Sequence, residues 1–414
     1  MTVKIFYGPP GTGKTKRLVG IARDHGRGLF LSYTRAAAAE AASRLTGIEP
    51  STLHSYAFRA LNMNRASVVD KPKLSAFGKT IGIPFQNRAE GDDELQEGDE
   101  YLQVYSFSRN RMIEPDLAYD EFGRPGTHDR WRLFCDGYQK WKDTYGYMDF
   151  DDMLVRFVGL NKKYAFPCVY VDEAQDCSPL QWAALDRICT GAGNVYLAGD
   201  DDQAIYEWNG ADPHGMLAFE ERHRGEHEVL RDSYRVPRKV YAAVNNKLMK
   251  QMERRVKKTW KPRDAEGSIL TYGDVSDVKF LGFTGMILGR DRWRVEEIKH
   301  MLNREMIPYR APGGMSPWTS KIAEALRKKE KVDIPPHWQE FYAQADLSQP
   351  INIDVSTIHQ AKGREAGAVI VDLQLSAKTL LGLELNRDAE LRVMYVALTR
   401  TSHDLILCGE NPLI

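Results

Sequence analysis

Residues 8–15 read Gly8-Pro9-Pro10-Gly11-Thr12-Gly13-Lys14-Thr15 and follow immediately after the apolar run Val3–Tyr7. Glycines in such a loop let backbone N–H groups close around phosphate oxygens, and Lys14 brings a positive charge to the β- and γ-phosphates. Thr15 offers its hydroxyl to Mg²⁺. A glycine turn before a helix is the simpler alternative, but the spacing of the glycines, Lys14 and Thr15 disfavours it. The sequence therefore predicts a nucleoside triphosphate site with Mg²⁺.

The overall composition excludes several classes of protein. The 414 residues are 43% hydrophobic, which is enough to build the cores of two or three domains. The 57 basic and 57 acidic side chains cancel, so nucleic-acid binding would require a local groove. The five cysteines contain no Cys-x-x-Cys pair, which disfavours a disulfide framework or a zinc site. No apolar run approaches about 18 residues and no signal-peptide pattern precedes the first strand, so we expect a cytoplasmic protein without a membrane partner.

Short apolar runs alternate with helical patterns along most of the chain. The predicted strands are 3–7, 28–33, 167–171, 194–198, 268–272, 285–288 and 368–372. The alanine-rich segment Arg35–Leu45 is the clearest helix between two of them. This alternation indicates an α/β fold with parallel sheets and helices on both faces. Residues 60–145 and 316–349 break the pattern and are predicted insertions, and we interpret the acidic run Glu90–Glu100 in the first as a solvated loop.

A second nucleotide signal follows the apolar segment Cys168–Val171, where Asp172 and Glu173 come at the predicted carboxyl end of a strand. Ligands bind at that end in open α/β sheets. Asp172 is suited to hold Mg²⁺ through water, and Glu173 is suited to act as general base on an attacking water. An acidic helix start is the alternative. The phosphate-binding loop upstream makes the nucleotide interpretation the better one.

These and further segments resemble the UvrD/Rep-like helicases of superfamily 1. The similar segments are Gly8–Thr15, Tyr33–Ala37, Ser51–Ser55, Met148–Asp152, Asp172–Asp176, Gly199–Ala211, Ser233–Arg235, Ser356–Glu365 and Tyr395–Arg400. The resemblance implies two RecA-like P-loop lobes with parallel sheets plus a small helical insertion domain. It places the first lobe at 1–60 and 146–230, the insertion subdomain at 61–145, and the second lobe at 231–315 and 350–414. Residues 316–349 would then be the remnant of the family's large fourth subdomain.

The nucleotide site follows in part from residue chemistry and in part from the resemblance. Gln203, just after a predicted strand, can hydrogen-bond a γ-phosphate and report its loss to the aromatic residues that follow. The resemblance implies that Arg235 and Arg400 reach the γ-phosphate, that Tyr234 stacks on adenine and that Glu365 meets the ribose. The predicted catalytic residues are Lys14, Asp172, Glu173, Gln203, Arg235 and Arg400. The predicted ATP ligands are Gly8, Pro9, Pro10, Gly11, Thr12, Gly13, Lys14, Thr15, Lys16, Tyr234, Arg235, Glu365 and Arg400, with Thr15 and Asp172 on Mg²⁺.

The aromatic residues Tyr206 and Trp208 are candidates for base stacking. A lone tryptophan is ordinarily a core residue, but Glu207, Asn209 and Gly210 around Trp208 favour a surface platform. The resemblance implies that Trp208 and Tyr33 contact bases. It extends the predicted DNA surface to Thr34, Arg35, Thr52, His54, Tyr206, Thr357 and His359. His359 could also be a core histidine, and a phosphate or DNA contact is preferred for it.

The first insertion interleaves basic with aromatic side chains. The arginines are Arg109, Arg111, Arg124, Arg130 and Arg132, and the aromatic residues are Tyr101, Tyr105, Phe107, Phe122 and Trp131. Two interpretations stay open. The pattern fits a surface that grips phosphates and packs against a strand, and it fits equally a small aromatic core with solvated arginines.

The resemblance implies an ATP-dependent DNA helicase that moves 3′ to 5′ on single-stranded DNA and separates duplex at a junction as a monomer. Because most of the fourth subdomain is missing, a translocase that strips bound proteins with little unwinding is an alternative. A nucleotide-switched DNA-binding regulator is a third possibility, which the presence of Glu173, Gln203 and both arginines disfavours. Arg364 and Ala366 stand where the family usually has a leucine and an aromatic residue.

Overall fold

The computed structural model describes residues 1–48, 50–86, 96–280, 282–312, 316–411 and 413–414. The chain divides into two compact units. Met1–Gly8 and Gly13–Val229 form the first unit, whereas Pro9–Thr12 and Leu230–Ile414 form the second. Much of the acidic run Glu90–Glu100 and the side chain of Arg35 lie outside what the structure describes. Within the described ranges, no helix is both long enough and apolar enough to cross a bilayer.

The first unit contains a parallel sheet with the strand order β3-β2-β4-β5-β1-β6. Its strands are β1 (Thr2–Tyr7), β2 (Leu29–Ser32), β3 (Ser51–Thr52), β4 (Cys168–Asp172), β5 (Asn194–Gly199) and β6 (Glu226–Val229). Its helices are α1 (Lys14–His25), α2 (Arg35–Ala42), α3 (Leu53–Ala60), α4 (Lys71–Ile81), α5 (Glu97–Arg111), α6 (Pro115–Glu121), α7 (His128–Tyr145), α8 (Phe150–Gly159), α9 (Pro179–Cys189) and α10 (Gly215–His223). Strand β4 is buried along its whole length, and β1 is buried at Val3 and from Ile5 to Tyr7, because helices cover both faces of a parallel sheet.

Helices α4 to α7 form the first insertion around an aromatic core. Its buried residues include Phe77, Tyr101, Tyr105, Phe107, Trp131, Phe134 and Tyr138, with Phe122 packed at its edge. The arginines instead form ion pairs, among them Arg109 with Asp152, Arg124 with Asp120, Arg130 with Glu97 and Arg132 with Asp116. The interpretation of these aromatic residues as a DNA-contacting surface is therefore wrong. The small aromatic core is the arrangement observed.

The second unit contains a parallel sheet with the order β7-β12-β11-β8-β10-β9. Its strands are β7 (Ser268–Tyr272), β8 (Gly285–Gly289), β9 (Tyr309–Arg310), β10 (Ile353–Thr357), β11 (Ala366–Asp372) and β12 (Thr401–Cys408). Its helices are α11 (Arg238–Ala243), α12 (Arg292–Arg304), α13 (Lys321–Arg327), α14 (Pro336–Gln344), α15 (Ala377–Leu385) and α16 (Arg387–Leu398). The predicted α/β class with two parallel sheets is confirmed. All five cysteines are free thiols.

The second insertion, 316–349, packs into the core of the second unit. The indole of Trp318 is fully buried, and the ring of Phe341 lies edge-on to it with 5.2 Å between ring centroids. Both belong to the cluster that contains Val355 and Ile370 of the sheet. The segment thus contributes to a core that it shares with the sheet.

We expect the change Trp318→Ala to lower the free energy of unfolding of the second unit by about 3–5 kcal/mol, because it removes a large buried ring. Chemical denaturation followed by circular dichroism measures this loss. Trp293→Ala is the matched control, since that indole on α12 is 44% exposed. Equal, small losses for the two variants would contradict the placement of 316–349 in the core.

Candidate nucleotide and nucleic-acid sites

The phosphate-binding loop connects β1 to α1. Gly13 precedes α1 with φ 81°, a left-handed conformation that glycine adopts without strain. The first N–H groups of α1 have no partners inside the helix, and they suit an anion. Lys14 is nearly buried and its Nζ donates to the carbonyl oxygen of Gly8 at 2.9 Å. The predicted lysine is therefore held within the loop, and the neighbouring Lys16 is exposed.

Thr15 and Asp172 come together as predicted for a Mg²⁺ site. The hydroxyl of Thr15 donates to Oδ2 of Asp172 at 2.6 Å, and Oδ1 of this buried carboxylate accepts no hydrogen bond from the described residues. Burial, followed by the charge of Glu173, raises the pKa of Asp172 to about 7. A hydroxyl beside a carboxylate oxygen is an all-oxygen donor set of the kind that Mg²⁺ takes, and a cation would relieve the cost of burying the charge. The residues fit the ion.

A chain of hydrogen bonds links Glu173 to Gln203. Nε2 of Gln175 donates to Glu173 at 2.6 Å, and Oε1 of the same amide accepts from the backbone N–H of Asp200 at 3.0 Å. Asp200 in turn accepts from Nε2 of Gln203 at 2.7 Å. Glu173 has φ 54°, a conformation that costs free energy for a residue other than glycine. Sequence reasoning did not assign Gln175 a role, although its position between the carboxylates of Asp172–Asp176 was a signal.

The aromatic candidates divide into a stacked pair and an exposed ring. The rings of Tyr33 and Tyr206 stack with 5.6 Å between centroids, and burial raises the pKa of both phenols well above the ordinary value. Trp208 is 48% exposed on a one-turn 3-10 helix that Gly210 ends with φ 91°. The prediction that Trp208 lies at the surface is confirmed. Its contact with DNA stays a prediction.

Thr34 and Thr52 are helix N-caps at one edge of the sheet. Oγ1 of Thr34 accepts from the backbone N–H of Ala37, and Oγ1 of Thr52 accepts from that of Ser55, both at 3.2 Å. Their strands are neighbours, since Ser32 of β2 pairs with Thr52. Each cap therefore has a structural role whether or not it also contacts DNA.

His54 follows the second cap and lies edge-on to the ring of Phe150, with 5.7 Å between ring centroids. Burial lowers its pKa to about 4, so the imidazole is neutral at physiological pH. A neutral imidazole can hydrogen-bond a phosphate or a base, but it cannot form an ion pair.

In the second unit, Ser233–Arg235 contact the tip of the phosphate-binding loop. The hydroxyl of Ser233 donates to the carbonyl oxygen of Pro10 at 2.7 Å, and the backbone N–H of Tyr234 donates to that of Gly11 at 2.8 Å. A Cβ on Gly11 would lie 2.4 Å from Cβ of Arg235, so this position requires glycine. Ser233 was not among the predicted site residues. The ring of Tyr234 is strongly exposed.

The remaining candidates of the second unit are held by local contacts. Arg235 forms an ion pair with Glu365, so a predicted γ-phosphate ligand is paired with a predicted ribose ligand. Arg400 is buried, and its guanidinium donates to the carbonyl oxygens of Val396 at 2.9 Å and Arg364 at 3.3 Å.

Motif residues after β10 are likewise ordered by short contacts. Oγ1 of Thr357 accepts from the N–H of Gln360 at 3.3 Å, which closes the turn that carries the half-buried His359. The unusual Arg364 donates to the hydroxyl of Ser356 at 2.7 Å and so ties this turn back to β10. Arg364 therefore stabilises this turn, which explains an arginine at a position where the family usually has leucine.

Two family models match the parts of the chain that contain most of the candidate residues described above. A family model described as the UvrD/REP helicase N-terminal domain matches residues 3–224, and one described as the UvrD-like helicase C-terminal domain matches residues 352–408. DNA helicase II of Haemophilus influenzae is 25% identical over 365 residues, which cover 74% of this chain and 48% of that protein. ATP-dependent DNA helicase PcrA of Leuconostoc citreum is 24% identical over 294 residues, covering 63% of this chain and 39% of that protein. The chain thus spans less than half the length of these curated relatives.

A solved structure titled as the crystal structure of Arterivirus nonstructural protein 10 (helicase) aligns with 98% of this chain and 59% of its own chain. The identity is 13% and the TM-score 0.40.

Proposed function

Because the chain belongs to the UvrD/REP helicase family, we propose that it is an ATP-dependent DNA helicase that moves 3′ to 5′ along single-stranded DNA and separates duplex. The proposal rests on the chain of hydrogen bonds that links Glu173 to Gln203. Gln203 lies in the same segment as the exposed Trp208. A change at the γ-phosphate can then reach a ring suited to stacking on bases.

In this proposal the chemistry is attack of water on the γ-phosphorus of ATP. Glu173 takes the proton of the attacking water as its oxygen bonds to phosphorus, and the bond from phosphorus to the β-γ bridging oxygen breaks to release ADP. Lys14, Arg235 and Arg400 supply positive charge to the phosphates during transfer. Thr15 and Asp172 would hold Mg²⁺, which when bound neutralises charge on the β- and γ-phosphates.

A translocase that removes bound proteins with little unwinding is the second candidate. The observation that favours it is the packing of 316–349 into the core of the second unit, since this segment then forms no separate subdomain to engage duplex. Measuring strand separation and translocation on the same partial duplex distinguishes the two. Translocation without strand separation would favour the second candidate.

The function itself is tested by the ATPase rate with and without single-stranded DNA. We expect a clear stimulation by single-stranded DNA, because movement couples turnover to the DNA strand. An equal rate with and without DNA would reject both motor candidates, and single-stranded RNA is the control that establishes the type of nucleic acid.

Substitutions of Lys14 and Glu173 should impair ATP hydrolysis in different ways. We expect Lys14→Ala to weaken ATP binding and turnover together, because Lys14 grips phosphate. Glu173→Gln should keep ATP binding and lower turnover about 10²–10⁴-fold, since only the base is lost. Fluorescent-nucleotide binding and phosphate release measure the two properties, and Glu221→Gln on the exposed face of α10 is the control. Near-normal turnover in Glu173→Gln would contradict its assignment as the base.

Trp208 should contribute to DNA affinity and little to stability. We expect Trp208→Ala to lose about 1–3 kcal/mol of affinity for single-stranded DNA, measured by fluorescence anisotropy, because a stacking surface is removed. Basal ATPase and the melting temperature should stay close to those of the parent. Trp293→Ala serves as the exposed-tryptophan control. A large drop in melting temperature with unchanged DNA affinity would show that Trp208 has a structural role.

A further inference from the structure

We propose that Asn110, on helix α5 of the first insertion, is a positioning residue that sets the orientation of the turn carrying Trp208. The inference rests on the proposed function, because it concerns how the insertion affects binding of single-stranded DNA. The first insertion would then affect DNA binding through the buried amide of Asn110, although its aromatic residues form a core and do not contact DNA.

The Asn110 amide uses its hydrogen-bonding groups within the first unit. It is buried, and its Nδ2 donates to Oδ1 of Asp151 at 2.8 Å and to the carbonyl oxygen of Ser106 at 3.0 Å. Its Oδ1 accepts from the hydroxyl of Ser178 at 2.8 Å. These bonds join α5 to the start of α8 and to the residue that caps α9. Because the donors and the acceptor are all engaged, only one orientation of the amide satisfies the site.

The same side chain lies against the Trp208 turn. A Cβ placed on Gly210 would lie 2.8 Å from Cβ of Asn110, so the backbone of the turn packs directly on this residue. Gly210 has φ 91°, and its N–H donates to the carbonyl oxygen of Glu207 at 2.9 Å. A shift of Asn110 therefore has to move the turn or open a gap beneath it.

A second connection holds the turn at the same place. The N–H of Asp212 donates to the carbonyl oxygen of Cys177 at 3.0 Å, and Cys177 immediately precedes Ser178, the residue that donates to Asn110. The turn is thus fixed on one side by the side chain of Asn110 and on the other by the segment that follows Glu173. Asn110 lies where the insertion, the residues after the catalytic carboxylates and the DNA-contacting turn meet.

The buried carboxylate that anchors Asn110 is retained at a cost. Asp151 also accepts from the hydroxyl of Ser106 at 2.5 Å, and burial together with the charge of Asp149 raises its pKa to about 6. An apolar pair would stabilise a core without this cost. The polar arrangement instead fixes α5 against α8 and against the residue that caps α9, and the Cβ of Asn110 that contacts the turn is held in place together with α5.

A double-mutant cycle between Asn110 and Trp208 tests the inference. Asn110→Asp keeps the shape of the side chain but removes both donors and places a second carboxyl group beside Asp151. The readout is the concentration of single-stranded DNA that gives half-maximal stimulation of the ATPase, measured alongside the basal rate. We expect this concentration to rise about tenfold in the parent background and less than about twofold in the Trp208→Ala background, because residues acting through one another are not additive. The basal rate of Asn110→Asp in the parent background should equal that of the parent.

Two further variants separate positioning from general stability. The pair Asn110→Asp with Asp151→Asn exchanges the amide and the carboxylate, and we expect it to restore the DNA dependence. Ser106→Ala removes the hydrogen bond to Oδ2 of Asp151 and a long bond of 3.4 Å from Nδ2 of Asn110, but it keeps the bonds that join Asn110 to Asp151 and Ser178. It should therefore lower the melting temperature and leave the DNA dependence intact. Should Asn110→Asp fold poorly, Ser178→Gly is the substitute, because it removes the bond to Asn110 while glycine still serves as an N-cap. It should likewise raise the concentration of single-stranded DNA for half-maximal stimulation in the parent background and much less in the Trp208→Ala background.

Additive effects of Asn110→Asp and Trp208→Ala would overturn the inference, as would failure of the exchanged pair to restore the DNA dependence. Either result, obtained with a parent protein that single-stranded DNA stimulates, leaves the proposed function standing. A parent protein that DNA does not stimulate would reject the proposed function and this inference with it.

Discussion

Parallel strand pairing is the constraint on which the first unit depends. Tyr7 at the end of β1 pairs with Gly199 at the end of β5, Val171 of β4 pairs with Leu197, and Asp172 pairs with Ser32 of β2. Since all these strands run in one direction, the residues that follow them emerge at the same edge. The phosphate-binding loop, the two carboxylates, Asp200 and Tyr33 are neighbours for this reason, although up to about 190 positions separate them in sequence. The hydrogen bonds from Thr15 to Asp172 and from Gln175 to Asp200 then fix what the pairing has brought together.

Long apolar strands were predictable, whereas short or polar ones were not. The runs at 3–7 and 194–198 agree closely with β1 and β5, because strands inside a sheet carry a strong hydrophobic signal. The run at 268–272 also agrees with β7, although this strand lies at the edge of its sheet and is largely exposed. Strand β3 has two residues and β6 reads Glu-His-Glu-Val at the sheet edge, so neither offers an apolar run. Strand β12 begins with Thr-Ser-His-Asp and turns apolar only in its second half. These segments are strands because their backbones pair with neighbouring strands, and residue composition does not reveal that pairing.

The candidate sites show the same division. The approach of Thr15 to Asp172 was predictable, because a phosphate site with Mg²⁺ would need those residue types at neighbouring strand ends. Gln175 and Asn110 were not, since their importance comes from partners that are distant in sequence, such as Ser178 for Asn110 at a separation of 68 residues. For the first insertion, the sequence left a DNA surface and an aromatic core equally open. The burial of Tyr101 and Trp131 decides between them, because only packing of several helices brings those rings together.

The packing of 316–349 also bears on how this framework can be enlarged. The anchors of the segment, Trp318 and Phe341, belong to the core, so replacing the whole stretch would remove part of that core along with it. Between α13 and α14, however, residues 328–331 are exposed. The entropy cost of a longer loop rises only with the logarithm of its length. This connection can therefore accept additional chain, even a folded module, without removing the core residues on either side of it.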